Sequence, residues 1–589
     1  MDIIKKLYYI FDREQKMRFA ILVLLMIGGA LLETVGIGLI IPIINLVLNP
    51  DLIFKQKVLL KIYEVLNFKS STSFLIVFCF TMLVVFIIKN SYAILMYKLQ
   101  FQFINREHAK ISTRLLKKYL YKPYTYHLQR NSSELLRNIN TDVEKLFEYI
   151  MTSLCLLLAE VMVVLSILIL LLFVEPVATI FAAGFLLVSI LIFMKLFRKK
   201  LRDLGKKEQY YRGQTIKWVN QSLGAIKEIK VLKKEDFFYQ QYEKQINEVN
   251  STRQYIQTLN QIPRPFIETL AVGAMLIIII IILMQSKAIA AQNILPALGL
   301  FGLAAFRLMP SINRIMNSIS NIQFAKPSLN EIYTDLLTEP VEAPKAETTI
   351  NTLKDSKIII ELNKISFKYP DSSKWILNDC SFSIKEGESI GIIGSSGAGK
   401  TTFVDIILGV LQPTKGEILT AGMQINDKAD DSVNFFGYIP QNIYLIDDSI
   451  RRNIAFGTQD DNINDNLIWQ ALRFAQLEDF VLSLPDKLDT LIGEQGVRLS
   501  GGQRQRLGIA RALYFNPRIL IFDEATSSLD IATEKEIIKS IDFLKGVRTL
   551  LIISHRPNTV DNVDRLLEIK DGSIIEKKLR EFGNDSVVS

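Results

Sequence analysis

The sequence predicts two joined folds: an α-helical transmembrane domain of six spans, and behind it an α/β domain of the P-loop class. Three observations carry this. Six apolar stretches of bilayer length lie in the first 320 residues or so. A glycine-rich turn, Gly394-Ser395-Ser396-Gly397-Ala398-Gly399-Lys400-Thr401, follows the short apolar segment Ser389–Ile393. The chain of 589 residues is 49% apolar yet 22% charged, so its greasy and polar parts must be segregated into separate units.

The spans are expected at about 19–47, 74–97, 147–172, 177–197, 265–285 and 293–317. The third and fourth are separated only by Glu175-Pro176 and therefore form a hairpin. Lysines and arginines crowd the N-terminus (Lys5, Lys6, Arg13, Lys16, Arg18) and the stretches 99–146 and 198–264. Glu175-Pro176 contributes no positive charge and the last external link only Lys287. The first external loop departs from this pattern, with Lys55, Lys57, Lys61 and Lys69. The asymmetry predicts a multi-pass membrane protein with both termini in the cytosol. It also accounts for the net charge of +9, which leaves no case for a nucleic-acid partner. Of three cysteines, Cys79 and Cys155 lie in apolar runs and Cys380 in the polar half, so no disulfide or metal framework is expected. No cleavable signal peptide is expected, because the polar N-terminus runs into an apolar stretch that is too long.

The two long internal segments are polar, poor in glycine and rich in helix formers, so helices are expected to continue out of the membrane and turn back. Short transverse helices are expected near Tyr121–His127 and Gly224–Asp236. The expected organisation is a transmembrane domain over 1–325, a linker over 326–357, a nucleotide-binding domain over 358–577 and a tail over 578–589. Segment 51–68 places apolar residues at helical spacing with lysines between them. It reads either as an interfacial helix that holds a lipid tail or as a lid on the spans.

In the glycine-rich turn, small residues let backbone N–H groups curl around phosphates. Lys400 neutralises the outer ones, Thr401 offers a hydroxyl to magnesium, and Thr402 is placed against the alpha-phosphate. The helix opening at Lys400 aims its N-terminal dipole at the same place. This turn alone says only that a nucleotide binds. Leu499-Ser500-Gly501-Gly502-Gln503 and Ile519-Leu520-Ile521-Phe522-Asp523-Glu524 narrow the choice, because together with the turn they resemble the ATP-binding cassette of ABC transporters. With the spans, the resemblance implies an exporter-type ABC fold, with transverse helices that couple to the cassettes.

The resemblance also assigns roles. Tyr369 matches the aromatic that stacks on adenine, and Gln441 in Tyr438-Ile439-Pro440-Gln441 matches the glutamine that reaches magnesium and reports nucleotide status. Asp523 is delivered toward magnesium, and Glu524 polarises the attacking water. His555, after the apolar strand Thr549–Ile553, matches the switch histidine beside the gamma-phosphate. Ser500, Gly501, Gly502 and Gln503 cradle the gamma-phosphate of the opposite subunit, and Asp530 closes a D-loop in which Ser528 stands where Ala is common. Thr490–Glu494 resembles the exporter-type segment that touches a coupling helix. ATP and Mg2+ are the implied cofactors. Each motif occurs once, so two cassettes are needed, and a homodimer is expected.

Charged residues within spans point to a cavity or to an intramembrane pair. Lys89, Arg264 and Arg307 could line one inward-facing cavity and bind an anionic headgroup; the alternative has them snorkelling to the interface or neutralising Glu33, Glu160 and Glu268. The segments 33–42, 262–264 and 307–314 resemble the bacterial ABC flippases for lipid-linked oligosaccharides, the Campylobacter-type protein N-glycosylation flippase family. That resemblance implies ATP-driven flipping of a polyprenyl-pyrophosphate-linked glycan to the outer leaflet, for glycosylation or surface polysaccharide assembly. A lipid or multidrug exporter of the same architecture is the alternative.

Overall fold

The computed structural model describes residues 2–38, 52–55, 57–65, 67–68, 70–174, 176–266, 291–337, 357–370, 372–420, 423–424, 435–524, 531–554 and 562–577, with positions 46, 268, 269, 273 and 560. They form two compact units, the first made of residues 1–122 and 126–340, the second chiefly of 341–589.

The first unit is helical. It comprises α1 (Asp2–Ile10), α2 (Arg13–Gly38), the short α3 (Leu52–Lys55) and α4 (Lys57–Val65), α5 (Ser71–Leu120), α6 (Tyr124–Gln129) and α7 (Ser132–Arg137). Then follow α8 (Thr152–Val174), α9 (Pro176–Gly224), α10 (Ile226–Leu232), α11 (Glu235–Gln261) and α12 (Ala291–Leu337). Arg13–Gly36, Ser71–Leu120 and Ser132–Leu170 are long and apolar enough to cross a membrane. The expected fourth and sixth spans lie on α9 and α12; most of the fifth falls outside the described residues.

The internal segments are helical, as their composition requires: α5 and α9, of 50 and 49 residues, run far past any bilayer length, and the 27-residue α11 continues the second segment. The short helices α6 and α10 sit at the two turns where transverse helices are expected. α7 reaches α8 through two π-helical stretches, Asn138–Asp142 and Leu146–Met151. At Gly205 on α9, a Cβ would lie 2.0 Å from the carbonyl oxygen of Phe324 on α12, so only glycine permits that helix contact.

One expectation is corrected. Residues 326–337 belong to α12 rather than to a linker, because Ala325, Leu329, Ile332 and Leu336 recur at helical spacing and are buried. Segment 51–68 is helical over Leu52–Lys55 and Lys57–Val65, as expected. Ile53 is buried with Phe74 at the start of α5, and Tyr63 and Phe68 pack against that ring at centroid distances of 5.7 and 5.3 Å. This is the lid arrangement.

The second unit is α/β. A four-stranded sheet has the order β2-β1-β4-β5, with β1 Ile358–Phe367, β2 Leu377–Lys385, β4 Lys415–Thr420 and β5 Met423–Gln424. A six-stranded sheet has the order β10-β9-β3-β8-β7-β6, formed by β3 Ser389–Ile393, β6 Phe436–Ile439, β7 Ile519–Asp523, β8 Thr549–Ile553, β9 Arg565–Lys570 and β10 Ser573–Lys577. Strands β3, β7 and β8 are buried at every residue, which explains their unbroken apolar runs. The helices that matter below are α13 (Lys400–Ile407), α14 (Ile450–Ile454), α15 (Asp465–Phe474), α16 (Gly501–Tyr514) and α17 (Ile531–Leu544).

Candidate functional site

Parallel sheets gather chemistry at the carboxyl ends of their strands, and here the ends of β3, β7 and β6 do so, with β8 between β3 and β7. β3 runs parallel to β8, β8 to β7 and β7 to β6. The loop after β3 carries the glycine-rich turn, β7 ends on Asp523, and Gln441 lies two residues beyond β6.

The turn needs its glycines. Gly397 and Gly399 have φ values of +80° and +102°, in the left-handed region closed to most residues. A Cβ on Gly399 would also come within 2.8 Å of Ile376, whereas Gly397 faces open space. Gly399 caps α13, whose first N–H groups have no partner within the helix. The buried Lys400 ammonium donates to the carbonyls of Gly394 at 2.9 Å and Ser395 at 3.2 Å, bracing its own loop. Burial pulls its pKa below the ordinary lysine range, against the opposing charges of Glu524 and Asp523.

Carboxylates crowd around that lysine. Burial pushes Asp523 up, helped by the charge of Glu524 and opposed by a hydrogen bond from the Tyr438 hydroxyl at 3.0 Å. Asp405 on α13 is pushed up to about 6 by burial and by the Asp523 charge. Such an anionic, half-buried cluster beside a helix N-terminus and one ammonium fits a phosphate chain accompanied by a divalent cation.

Glu524 has a left-handed backbone, φ +49°, held by its N–H bond to the Ile553 carbonyl at 3.0 Å. Strain of this kind recurs at functional positions. The Gln441 amide donates to the Glu524 carboxylate at 2.8 Å. The structure thus joins Gln441 to Glu524, a contact the sequence does not announce; the Tyr438–Asp523 bond is likewise absent from any motif.

Tyr369 donates to or accepts from the Thr402 hydroxyl at 3.1 Å and sets its ring edge-on to Phe367, which puts it beside the turn. Thr401 is exposed at the start of α13. Ser500 and Gln503 form a reciprocal cap on α16: the Ser500 hydroxyl accepts from the Gln503 N–H at 3.2 Å, and the Gln503 side chain accepts from the Ser500 N–H at 2.8 Å. Gly501 and Gly502 complete that first turn. Asp530 and His555 lie outside the described residues.

In the first unit, Lys89 is paired with Glu33 at 2.9 Å and sits over the Phe86 ring. Arg314 is paired with Glu160 at 2.7 Å. For Lys89 this is the neutralised arrangement the sequence left open. Arg264 is exposed beyond the end of α11, and the side chain of Arg307, on α12, lies outside the described residues.

The pKa of Asp405 yields a testable pH dependence. Its folded value of about 6 lies above the ordinary aspartate value of about 3.9, so folding favours the protonated form. Stability from this group is present at low pH and is lost as pH rises from about 4 through about 6. Asp405→Asn should therefore stabilise the chain at pH 7 by on the order of 1 kcal/mol after solvent screening. Thermal unfolding of the full chain in nanodiscs at pH 4 and pH 7 would check this. An equal shift at both pH values would remove Asp405 as the source.

The family described as the ABC transporter transmembrane region matches residues 35–308, and the family described as ABC transporter matches residues 377–527. The ATP-dependent lipid A-core flippase of Pseudoalteromonas translucida is 30% identical over 462 residues, covering 78% of each chain. That of Haemophilus influenzae is 30% identical over 472 residues, covering 79% of this chain and 78% of the relative. That of Coxiella burnetii is 30% identical over 459 residues, covering 77% and 76%. Among solved structures, a bacterial Atm1-family ABC exporter with ATP bound superposes with a TM-score of 0.76 at 20% identity, covering 98% of this chain and 97% of that one. This last likeness concerns the fold alone.

Proposed function

Since the chain belongs to the ABC transporters, as an exporter-type half-transporter that hydrolyses ATP in an integral membrane protein, we propose that its cargo is a lipid-linked oligosaccharide. It flips a polyprenyl-pyrophosphate glycan from the cytosolic to the outer leaflet of the bacterial inner membrane. The observation that carries the turnover part is the contact of Gln441 with Glu524 beside the glycine-rich turn. Glu524 takes the proton of the attacking water, and Gln441 fixes the orientation of its carboxylate. Lys400 and the N–H groups of residues 395–402 stabilise charge on the phosphates, with Tyr369 against the adenine and His555 beside the gamma-phosphate. Thr401, Gln441 and Asp523 would hold Mg2+, which supplies charge neutralisation between the outer phosphates.

Ser500, Gly501, Gly502, Gln503 and Asp530 serve the nucleotide of a second copy, so the working unit is a homodimer in the bilayer. A predicted consequence is that specific ATPase activity falls as the protein is diluted through its dimer dissociation range in detergent. Activity that stays constant per chain down to monomer would overturn the homodimer.

The cargo reading is supported by charge inside the membrane. Lys89, Arg264 and Arg307 supply cations for a pyrophosphate, with Lys89 exchanging Glu33 for the phosphate. The names of the relatives favour a second reading, a lipid A-core type glycolipid. Proteoliposomes given each labelled lipid would separate the two, with Glu524→Gln as the inactive control. ATP-dependent movement of the polyprenyl-linked glycan establishes the first reading; movement of the lipid A-core alone replaces it with the second.

A further inference from the structure

The loop that presents Gln441 has no helix or strand of its own. Residues 441–446 leave β6 in irregular backbone, yet the Gln441 amide meets the Glu524 carboxylate at 2.8 Å. Something outside the loop has to hold it, and α16 does so at two places three residues apart, on one face of the helix. At Gly508 a Cβ would lie 2.3 Å from Cδ1 and 3.3 Å from Cγ2 of Ile443, so the missing side chain leaves the seat that Ile443 fills. At Arg511 the guanidinium Nη1 donates to the Tyr444 carbonyl at 2.7 Å.

The rest of the Arg511 fork is anchored on α14. Its Nε donates to the Asn453 carbonyl at 2.7 Å and its Nη2 to the Asn453 side-chain oxygen at 3.0 Å. The guanidinium carbon lies 4.7 Å from the centroid of the Phe456 ring. Asn453 is itself fully buried, and its amide donates to the carbonyls of Ile446 at 3.0 Å and Ser449 at 3.1 Å. One planar group therefore pins Tyr444 and Asn453 to α16 together. Its three partners are neutral oxygens, and burial pulls its pKa down to about 10. A desolvated charge without a counter-charge is costly. What an arginine brings here is several donors in one fixed plane, a geometry that lysine lacks.

We infer that Arg511 is a positioning residue for ATP hydrolysis. By holding the Tyr444 carbonyl it fixes the loop backbone three residues after Gln441, and with it the place from which Gln441 reaches Glu524. The inference rests on the role proposed for Gln441 and extends it to a side chain on another helix. Acting through Gln441 leaves a signature that a plain structural brace lacks: without the Gln441 side chain there is nothing left to position.

The test measures kcat and KM for ATP on the full-length protein in nanodiscs, with Arg511→Lys made on the wild-type and on the Gln441→Ala backgrounds. Lysine keeps the charge but cannot span Tyr444 and Asn453 at once. On the wild-type background Arg511→Lys should lower kcat by about tenfold while KM stays within about twofold. On the Gln441→Ala background the same change should cost less than about twofold, because the two effects share one cause. Ile443→Ala loosens the same loop at Gly508 without touching the arginine. It should show the same dependence on Gln441, and it carries the test if Arg511→Lys fails to assemble. Equal fractional losses on both backgrounds would overturn the inference and leave Arg511 as a brace of the fold. A kcat unchanged in both Arg511→Lys and Ile443→Ala, or a loss confined to KM, overturns it as well. If Gln441→Ala alone turns over at the wild-type rate, the role proposed for Gln441 is lost, and that of Arg511 goes with it.

Discussion

Glu524→Gln should lower ATP hydrolysis by roughly 10²- to 10⁴-fold while ATP binding persists. The substitution keeps the volume and most of the hydrogen bonding of the side chain but removes its ability to accept a proton. The left-handed backbone at Glu524 is fixed by the Ile553 carbonyl, so the replacement should occupy the same place. The Gln441 amide, which donates to the Glu524 carboxylate, can still donate to an amide oxygen. Phosphate release should therefore collapse, and filter-retained radiolabelled ATP should remain bound to the variant. Hydrolysis within about tenfold of the wild type would take the proton-accepting role away from Glu524. Gln441→Ala offers a graded companion: it frees the carboxylate without removing it, and should cost less than Glu524→Gln.

Asp335→Ala should destabilise the helical unit by about 1–3 kcal/mol, the range for leaving buried hydrogen-bond donors without their acceptor. Asp335 lies near the end of α12 and is buried. It accepts from the Tyr119 hydroxyl at the end of α5, from the Asn138 amide at 3.0 Å and from Arg130 at 3.3 Å. Burial, together with the adjoining Asp335 carboxylate, pushes the Tyr119 hydroxyl well above the ordinary tyrosine range, so it remains a donor at any physiological pH. Removing the carboxylate strands three donors at once. Asp335→Asn keeps the shape and part of the bonding, and should cost clearly less. Thermal unfolding of both variants in nanodiscs would check the order. Equal losses would mean that the charge, which both variants lack, rather than the shape holds this corner together.

What the sequence discloses follows from which physics is local. The glycine-rich turn is legible because positive φ at Gly397 and Gly399 demands glycine wherever the turn occurs. The strands β3, β7 and β8 are legible because burial on both faces leaves an unbroken apolar run. The spans announce themselves by length and hydropathy. Contacts between distant segments have no such local signal. Tyr438 and Asp523 lie 85 residues apart, and nothing around either names the other. The Asp335 cluster joins residues separated by up to 216 positions, and nothing local to any of them names the others. The linker boundary failed for a related reason. The apolar residues at 325, 329, 332 and 336 do carry a helical period, but Pro327 and a mixed polar composition mask it.

The two π-helical stretches between α7 and α8 carry a consequence for the length of this segment. A π turn accommodates a residue more than an α turn over the same rise, so each stretch acts as an inserted position. The first ends at Asp142, which is fully buried and accepts from Arg137 at 3.1 Å, Gln209 at 2.9 Å and Ser328 at 2.7 Å. Deleting one residue from Asn138–Asp142 would let the backbone relax to an ordinary α-helix. Because the wide turn holds its surplus residue over the same rise, the helix on either side would keep its bearing, whereas a deletion in the flanking α-helix would turn one side by about 100° relative to the other. The surplus residue is thus a place where this segment can change length without turning its two ends against each other.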